Sequence, residues 1–253
     1  MSAEHVIAGL ADGVLTLTLN RPGKRNALDT ALIVALHEAI ERADLDAGVR
    51  IVALRGAGKD FCAGLDLSEL LASADASPQE NEASARRLGD VFIRLRRMPK
   101  PVVGVVHGRA LAGGCGLATA CDLIVAHADA AFGYPEIQRG FVPAMVMAML
   151  RRAVGEKVAF DLAATGRQIS AAEARQLGLV ARVFPAASFE QDVAQFLRDL
   201  AGSSVSALAL LKQQLHALES LPFEEGIALG AQVNAVARTT PEFRKALESF
   251  LKQ

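Results

Sequence analysis

The chain has 253 residues, of which 51% are hydrophobic and only 9 are proline, which favours a sizeable folded core over general disorder. Lys and Arg number 27 against 28 Asp and Glu, for a net charge of -1, and no long basic tract appears. That balance removes any bulk electrostatic case for nucleic acid or an anionic membrane, although a local basic site for a phosphorylated ligand remains open. Three cysteines, Cys62, Cys115 and Cys121, lie in apolar surroundings and do not form a disulfide framework, which suits a reducing compartment. The opening MSAEHVIAGLADG has neither a basic n-region nor a long apolar h-region, and the apolar run near 141–150 is too short to span a membrane, so the expected location is cytoplasmic.

In chain order, VLTLTL at 14–19 reads as a strand, and NRPGKRNALD then supplies turn residues before a helix capped by Asp29 and running to about Asp44. VRIVALRG at 49–56 is the next strand and leads into the glycine-containing turn CAGLD at 62–66. Residues 68–82, rich in Ser, Ala, Glu and Asp, read as a surface loop or short helical excursion, and a helix is predicted over 83–97. PVVGVVHG is a continuous apolar strand of the kind buried on both faces in a parallel sheet. A turn and helix follow in ALAGGCGLATACD, and LIVAHADAAFG returns to strand. Beyond 153 helices dominate, at 155–165, 170–177, 188–202, 203–219 and 222–237, with a short strand at 179–185. Ser170 and Glu173 have the spacing of a capping box. The loose alternation of strand and helix predicts an α/β core with crossovers.

Three segments invite a chemical reading: CAGLD, HGRALAGGCG at 107–116 and FGYPEIQRG at 132–140. Glycines let backbone approach a ligand closely, and amide N–H groups from two separate turns could converge on a thioester oxygen. Glu136, in an otherwise apolar neighbourhood, could then carry a proton to or from the activated carbon. Each piece has an ordinary structural reading as well: a tight helix entry at Gly113–Gly114, a local cap at Asp66, a helix-start carboxylate at Glu136. His107, Cys115 and Cys121 make no zinc pattern, and neither a GxGxxG nor a P-loop motif is present.

Taken in order, NRPGKRNALD, FCAGLDL, HGRALAGGCGLATACD, FGYPEIQRG and TGRQISAAEARQLGLVARV resemble the enoyl-CoA hydratase/isomerase (crotonase) family over nearly the whole chain. The resemblance implies a ββα-superhelical core over 1–200 and a C-terminal helical oligomerisation region over 201–253, commonly a homotrimer or a dimer of trimers. It implies an acyl-CoA substrate and no permanently bound cofactor or metal. By position, the backbone N–H groups of Leu65 and Gly113 are the oxyanion donors and Glu136 the acid/base. Ala63, Leu65, Asp66, Leu67 and Ser68 match the turn around the thioester and pantetheine. Lys24, Arg25 and Ala27 match the loop near the nucleotide portion.

The chain departs from the family's pattern at several points. Hydratases of the family carry two glutamates, but the first falls here on Gly116, which has no acid or base. Holding and splitting water is a task for paired carboxylates, whereas one carboxylate suffices to move a proton along an acyl chain. The expected activity is therefore Δ3,Δ2-enoyl-CoA isomerisation. Hydration, thioester hydrolysis, decarboxylation and noncatalytic acyl-CoA binding remain as alternatives. A GLxPGxGG-like pattern is replaced by GFVPAMVMAMLRR, whose Met145, Met147 and Met149 belong either to an acyl pocket or to core packing. Arg139 stands where an aliphatic residue is common. TTPEFRKALESFLKQ resembles a final helix that leads into a basic, aromatic tail near coenzyme A, and with the sequence stopping at Gln253 either fewer such contacts or compensation by another subunit is expected.

Overall fold

In a computed structural model, which describes residues 4–252, the two-residue turn Asp12–Gly13 joins strands β1 (Val6–Ala11) and β2 (Val14–Leu19) into an antiparallel hairpin. Asp12 and Gly13 both take positive φ, as a tight hairpin turn requires. The sequence reading found β2 but not β1. The outer strand is exposed along nearly its whole length and so carries no buried-strand pattern.

Asp29 caps α1 (Thr30–Leu45) as expected, its carboxylate accepting from the Leu32 N–H at 2.8 Å. Next come β3 (Ile51–Gly56), the short α2 (Leu67–Ala72) and α3 (Pro78–Arg97). The last starts five residues before the predicted 83. Ser77 and Glu80 form a complete capping box, and Pro78 occupies the first turn, where its missing N–H costs nothing. Leu88, Val91, Phe92 and Leu95 then give α3 one buried face.

The middle of the chain supplies β4 (Val102–Val106), β5 (Arg109–Leu111), α4 (Gly113–Thr119), β6 (Leu123–His127) and β7 (Ala131–Gly133). LIVAHADAAFG is thus two strands rather than one, and they belong to different sheets. After α5 (Met147–Val154), α6 (Glu156–Thr165), β8 (Gln168–Ser170), α7 (Ala171–Gln176) and β9 (Arg182–Phe184), the chain is helical: α8 (Phe189–Gly202), α9 (Val205–Ala217), α10 (Phe223–Ala237) and α11 (Pro241–Phe250). The Ser170 cap is half a box. Its hydroxyl accepts from the Glu173 N–H, but the Glu173 carboxylate pairs with Arg167 instead of returning to the cap.

The main sheet has the order β1-β2-β3-β4-β6-β9, parallel from β2 onward, and a small sheet β5-β7-β8 stands beside it. Alternate sheet residues point to opposite sides. Leu17, Val52, Leu54 and Val106 meet the α1 and α3 side, while Ile51, Ala53, Val103 and Val125 meet Phe189, Val193 and Leu197 of α8. Burying each of the larger of these side chains stabilises the fold by about 1.5–3 kcal/mol before entropy is counted. Both faces of the inner strands β3, β4 and β6 are therefore covered, which is why these three read as largely apolar runs. Among the described residues no helix is long and apolar enough to cross a membrane.

The last three helices pack less completely. Lys212 of α9 is buried and anchors that helix to the core through Asp122 and the carbonyls of Leu95 and Lys100. Burial pulls its amine below the usual lysine range, opposed by the charge of Asp122. Leu211, Leu215, Phe223, Ile227, Phe250 and Leu251 remain exposed.

Candidate active site

Three segments distant in sequence run side by side. Cys62 pairs with β5, its N–H donating to the Arg109 carbonyl and its carbonyl accepting from Leu111. On its other side the same turn is stitched to Leu28, whose N–H donates to Gly64 and whose carbonyl accepts from Asp66. Bonds from the residues on either side of Leu65 leave its own N–H facing away from Leu28, towards the side where β5 ends and α4 begins. Gly64, at φ +96°, makes the bend possible. A Cβ there would lie 2.7 Å from the Ala112 methyl and 3.3 Å from the Gly113 nitrogen, so the two turns are in contact.

Gly113 is the first residue of α4, and its N–H is one of the orphan donors of a helix start. Among the described residues, neither this group nor the Leu65 N–H has a protein acceptor. Ala112 before it holds φ 52° and ψ −131°, a backbone region costly for any residue with a Cβ. It is held there by the bond from its N–H to the Gly133 carbonyl and by the Gly116 N–H bonding to its own carbonyl.

The bond from Ala112 to Gly133 also brings in the carboxylate. β5 and β7 pair in register to Leu111–Gly133, and two residues past Gly133 the chain enters a 3-10 turn, Pro135–Arg139, with Glu136 in its first turn. Tyr134 fixes this entry: its hydroxyl meets the Thr119 hydroxyl at 2.9 Å, and Thr119 in turn bonds the Cys115 carbonyl. Glu136 is only 8% exposed, and its Oε2 has no partner among the described residues. Burial pushes its carboxyl above the usual range, and the Arg139 charge opposes this only in part. A buried carboxylate with an idle oxygen and a raised pKa can exchange a proton with a ligand.

Position 116 follows Gly113 by one helical turn and lies on the same flank of α4. A Cβ on Gly116 would lie 2.1 Å from Val146 Cγ1 and 3.4 Å from Phe92 Cζ. The space is therefore filled by apolar side chains, not merely lacking an acid. Sequence reasoning missed Val146. Its only trace is that GFVPAMVMAMLRR puts larger residues where glycines were expected.

The loops ahead of these turns are held by two residues also overlooked. Asn26, fully buried at φ 54°, donates to the carbonyls of Ala57, Asp60 and Phe61 and accepts from the Arg21 N–H. Arg21 joins Asp29 at 3.0 Å, Asp66 at 3.1 Å and the Ala27 carbonyl. Asp66 caps α2 through the Ser68 N–H. That bond, reinforced by Arg21, holds its carboxyl below the usual range despite partial burial. Ala63 donates its N–H to the Arg25 carbonyl, and Ala27 is buried. Lys24, Arg25, Leu67 and Ser68 are exposed beside them, with Arg25 reaching Asp60 at 3.9 Å. Lys24 and Arg25 thus have charge available to solvent or ligand, whereas the Asp66 carboxylate is already engaged.

The remaining candidates play other parts. Met149 is buried, Met145 and Met147 pack on the same core, and Arg139 is exposed. His107 bonds the Gly58 carbonyl and lines a cavity of about 600 Å³ with Lys59, His127, Asp129, Phe189 and Glu190. That cavity opens at the carboxyl ends of β4 and β6 and contains none of Leu65, Gly113 and Glu136.

The sequence profile of the enoyl-CoA hydratase/isomerase family matches residues 9–253. A putative enoyl-CoA hydratase of Thermus thermophilus is 39% identical over 95% of this chain and 95% of its own length. The 2,3-dehydroadipyl-CoA hydratase of Escherichia coli is 34% identical over 98% of this chain and 96% of its own. A crystal structure of an enoyl-CoA hydratase from Mycobacterium smegmatis superposes with a TM-score of 0.93 at 34% identity, covering 98% of this chain and 96% of that one. By its sequence and its crotonase-like fold, this chain belongs to the enoyl-CoA hydratase/isomerase family and acts in the acyl-CoA chemistry of that family.

Proposed function

We propose that the chain is a Δ3,Δ2-enoyl-CoA isomerase. The observation that carries this reading is the solitary carboxylate: Glu136 is buried with an idle oxygen, and the position one turn into α4 is a glycine closed off by Val146. In the proposed reaction the Leu65 and Gly113 N–H groups hold the thioester oxygen while Glu136 removes a C2 proton from a 3-enoyl-CoA. The resulting dienolate keeps its charge on that oxygen, and protonated Glu136 returns the proton to C4, giving the conjugated 2-enoyl-CoA. Each aimed donor is worth about 10²–10³ in rate, because it meets charge that develops only as the bond breaks. The exposed Lys24 and Arg25, with Ala27 and the turn Ala63, Leu65, Asp66, Leu67 and Ser68, form the proposed coenzyme A cradle, and no resident cofactor takes part.

Hydration is the second reading, favoured by the names of the relatives from Thermus and Escherichia coli. Mass-resolved products decide between the two. Isobaric conversion of 3-enoyl-CoA supports isomerisation, and addition of water to 2-enoyl-CoA without migration of the double bond refutes it. The apolar surface of α9 to α11 supports a further proposal, that 201–253 is an oligomerisation region closing a homotrimer or a dimer of trimers.

A further inference from the structure

We propose that Val146 determines which reaction this site performs, by occupying the space in which a second acid and its water would have to sit. The inference rests on the isomerase reading above and adds to it a residue that no sequence motif marks.

The geometry is specific. Gly113 and Gly116 are one turn apart on α4, and the wall facing them is built from Leu88 and Phe92, themselves one turn apart on α3. Val146, 4% exposed, closes that wall from the third side, immediately before α5 begins. With its Cγ1 2.1 Å from where a Cβ on residue 116 would be, the valine and the glycine fit as a matched pair: neither position can grow unless the other shrinks. Met145 wedges the same segment against α3, its sulfur 3.4 Å from where a Cβ on Gly89 would lie, so Val146 cannot easily swing aside.

Two consequences for the chemistry follow. The hydrocarbon side chains of Val146 and Phe92 offer a water beside position 116 no hydrogen-bonding group, and a bound water needs two or more. Glu136, once protonated, then keeps the substrate's own proton until it is returned. In an open site the same proton would be lost to solvent. The valine acts through the water it excludes and touches no reacting atom, so it is a positioning residue.

The test uses wild type, Val146→Ala, Gly116→Glu and the double variant, each given 3-enoyl-CoA deuterated at C2 and, separately, 2-enoyl-CoA. Wild type should deliver to C4 most of the deuterium it removes from C2, and Val146→Ala should lower that transferred fraction at least twofold while still isomerising. Gly116→Glu alone should lower the thermal midpoint and add no water. Combined with Val146→Ala it should regain the midpoint and add water to 2-enoyl-CoA, oxygen going to C3 and hydrogen to C2. An equal transferred fraction in an isomerising Val146→Ala overturns this inference and leaves the isomerase reading intact. A Gly116→Glu variant as stable and as hydrating as the double variant does the same. Water addition by wild type overturns both. If the double variant does not fold, the transferred fraction in Val146→Ala decides alone.

Discussion

Replacing Gly64 by alanine perturbs both proposed oxyanion donors at once. The new methyl would stand 2.7 Å from that of Ala112 and 3.0 Å from the Leu111 carbonyl, about 0.7 Å inside an ordinary contact, at a φ of +96° that a side chain resists. Steric overlap and the unfavourable backbone should together cost about 2–4 kcal/mol. For a chain of this size that lowers the thermal midpoint by roughly 4–16 °C. Relief comes only by separating the turns, and Leu65 and Gly113 are the residues next to the two that clash. A shift of that size takes a donor placed at about 2.9 Å beyond useful hydrogen-bond range. The expected loss in kcat is about 10²–10³, the effect of one donor removed, with KM changed less because Lys24, Arg25 and Ala27 of the proposed cradle lie outside the displaced turn. The assay follows absorbance of the conjugated thioester formed from 3-enoyl-CoA, with Gly202→Ala as control, since nothing lies within 4 Å of a Cβ there. A folded Gly64→Ala protein with kcat within tenfold of wild type would refute the converging-turn argument.

Glu136→Gln should lower kcat by about 10²–10⁴ with binding of the product largely kept, read by kinetics and titration. It should also stabilise the fold at neutral pH. Because burial raises the Glu136 carboxyl above its ordinary 4.5, the native state holds more protons than the unfolded one in that window, and wild-type stability falls as pH rises through the folded value. The advantage of the variant should therefore vanish in denaturant titrations run below the ordinary value, and an advantage independent of pH would contradict the assignment. Arg21→Ala leaves Asp29 and Asp66 facing each other without their shared cation and should cost about 2–3 kcal/mol, with KM for acyl-CoA raised; unchanged stability in urea would count against it. The buried thiols of Cys62 and Cys115, each pushed up to about 12, and of Cys121, also raised, should resist alkylation at pH 8 until the chain unfolds. Phe223→Glu, at a side chain now 79% exposed, should shift the mass measured by light scattering towards the monomer if the C-terminal helices mediate assembly.

Much of the architecture was readable because its signals are local. The Asp29 cap, the apolar run of β4 and the helices from α6 to α10 follow from residues adjacent in the chain. The missed start of α3 was local too, but Ser77, Pro78 and Glu80 lay in a stretch whose Ser, Ala and Glu content suggested a loop, and composition masked the cap. β1 lacked a buried-strand pattern because only Val6 of its six residues is buried. The site divides in the same way. Glycine turns and the PEI segment announce themselves, whereas Arg21, Asn26 and Val146 matter through partners far along the chain. Asp66 is 45 residues from Arg21, and Val146 is an unexceptional apolar residue until Gly116 is seen against it.

The pairing that brings the two donors together also sets when they can exist. Every bond holding the 62–66 turn beside Leu28 and Arg109 spans a long stretch of chain, and such contacts form only after the entropy of closing the loop has been met. α3, by contrast, carries its own cap and can form from nearby residues alone. During refolding the helical signal should therefore return ahead of catalytic activity. On the proposed role of Glu136, the chain on the ribosome should stay inert until the segment bearing that residue has emerged and joined β5. Recovery of turnover thus reports the last steps of folding, and a slow enzymatic phase in a chain that already looks helical would mark the docking of these turns.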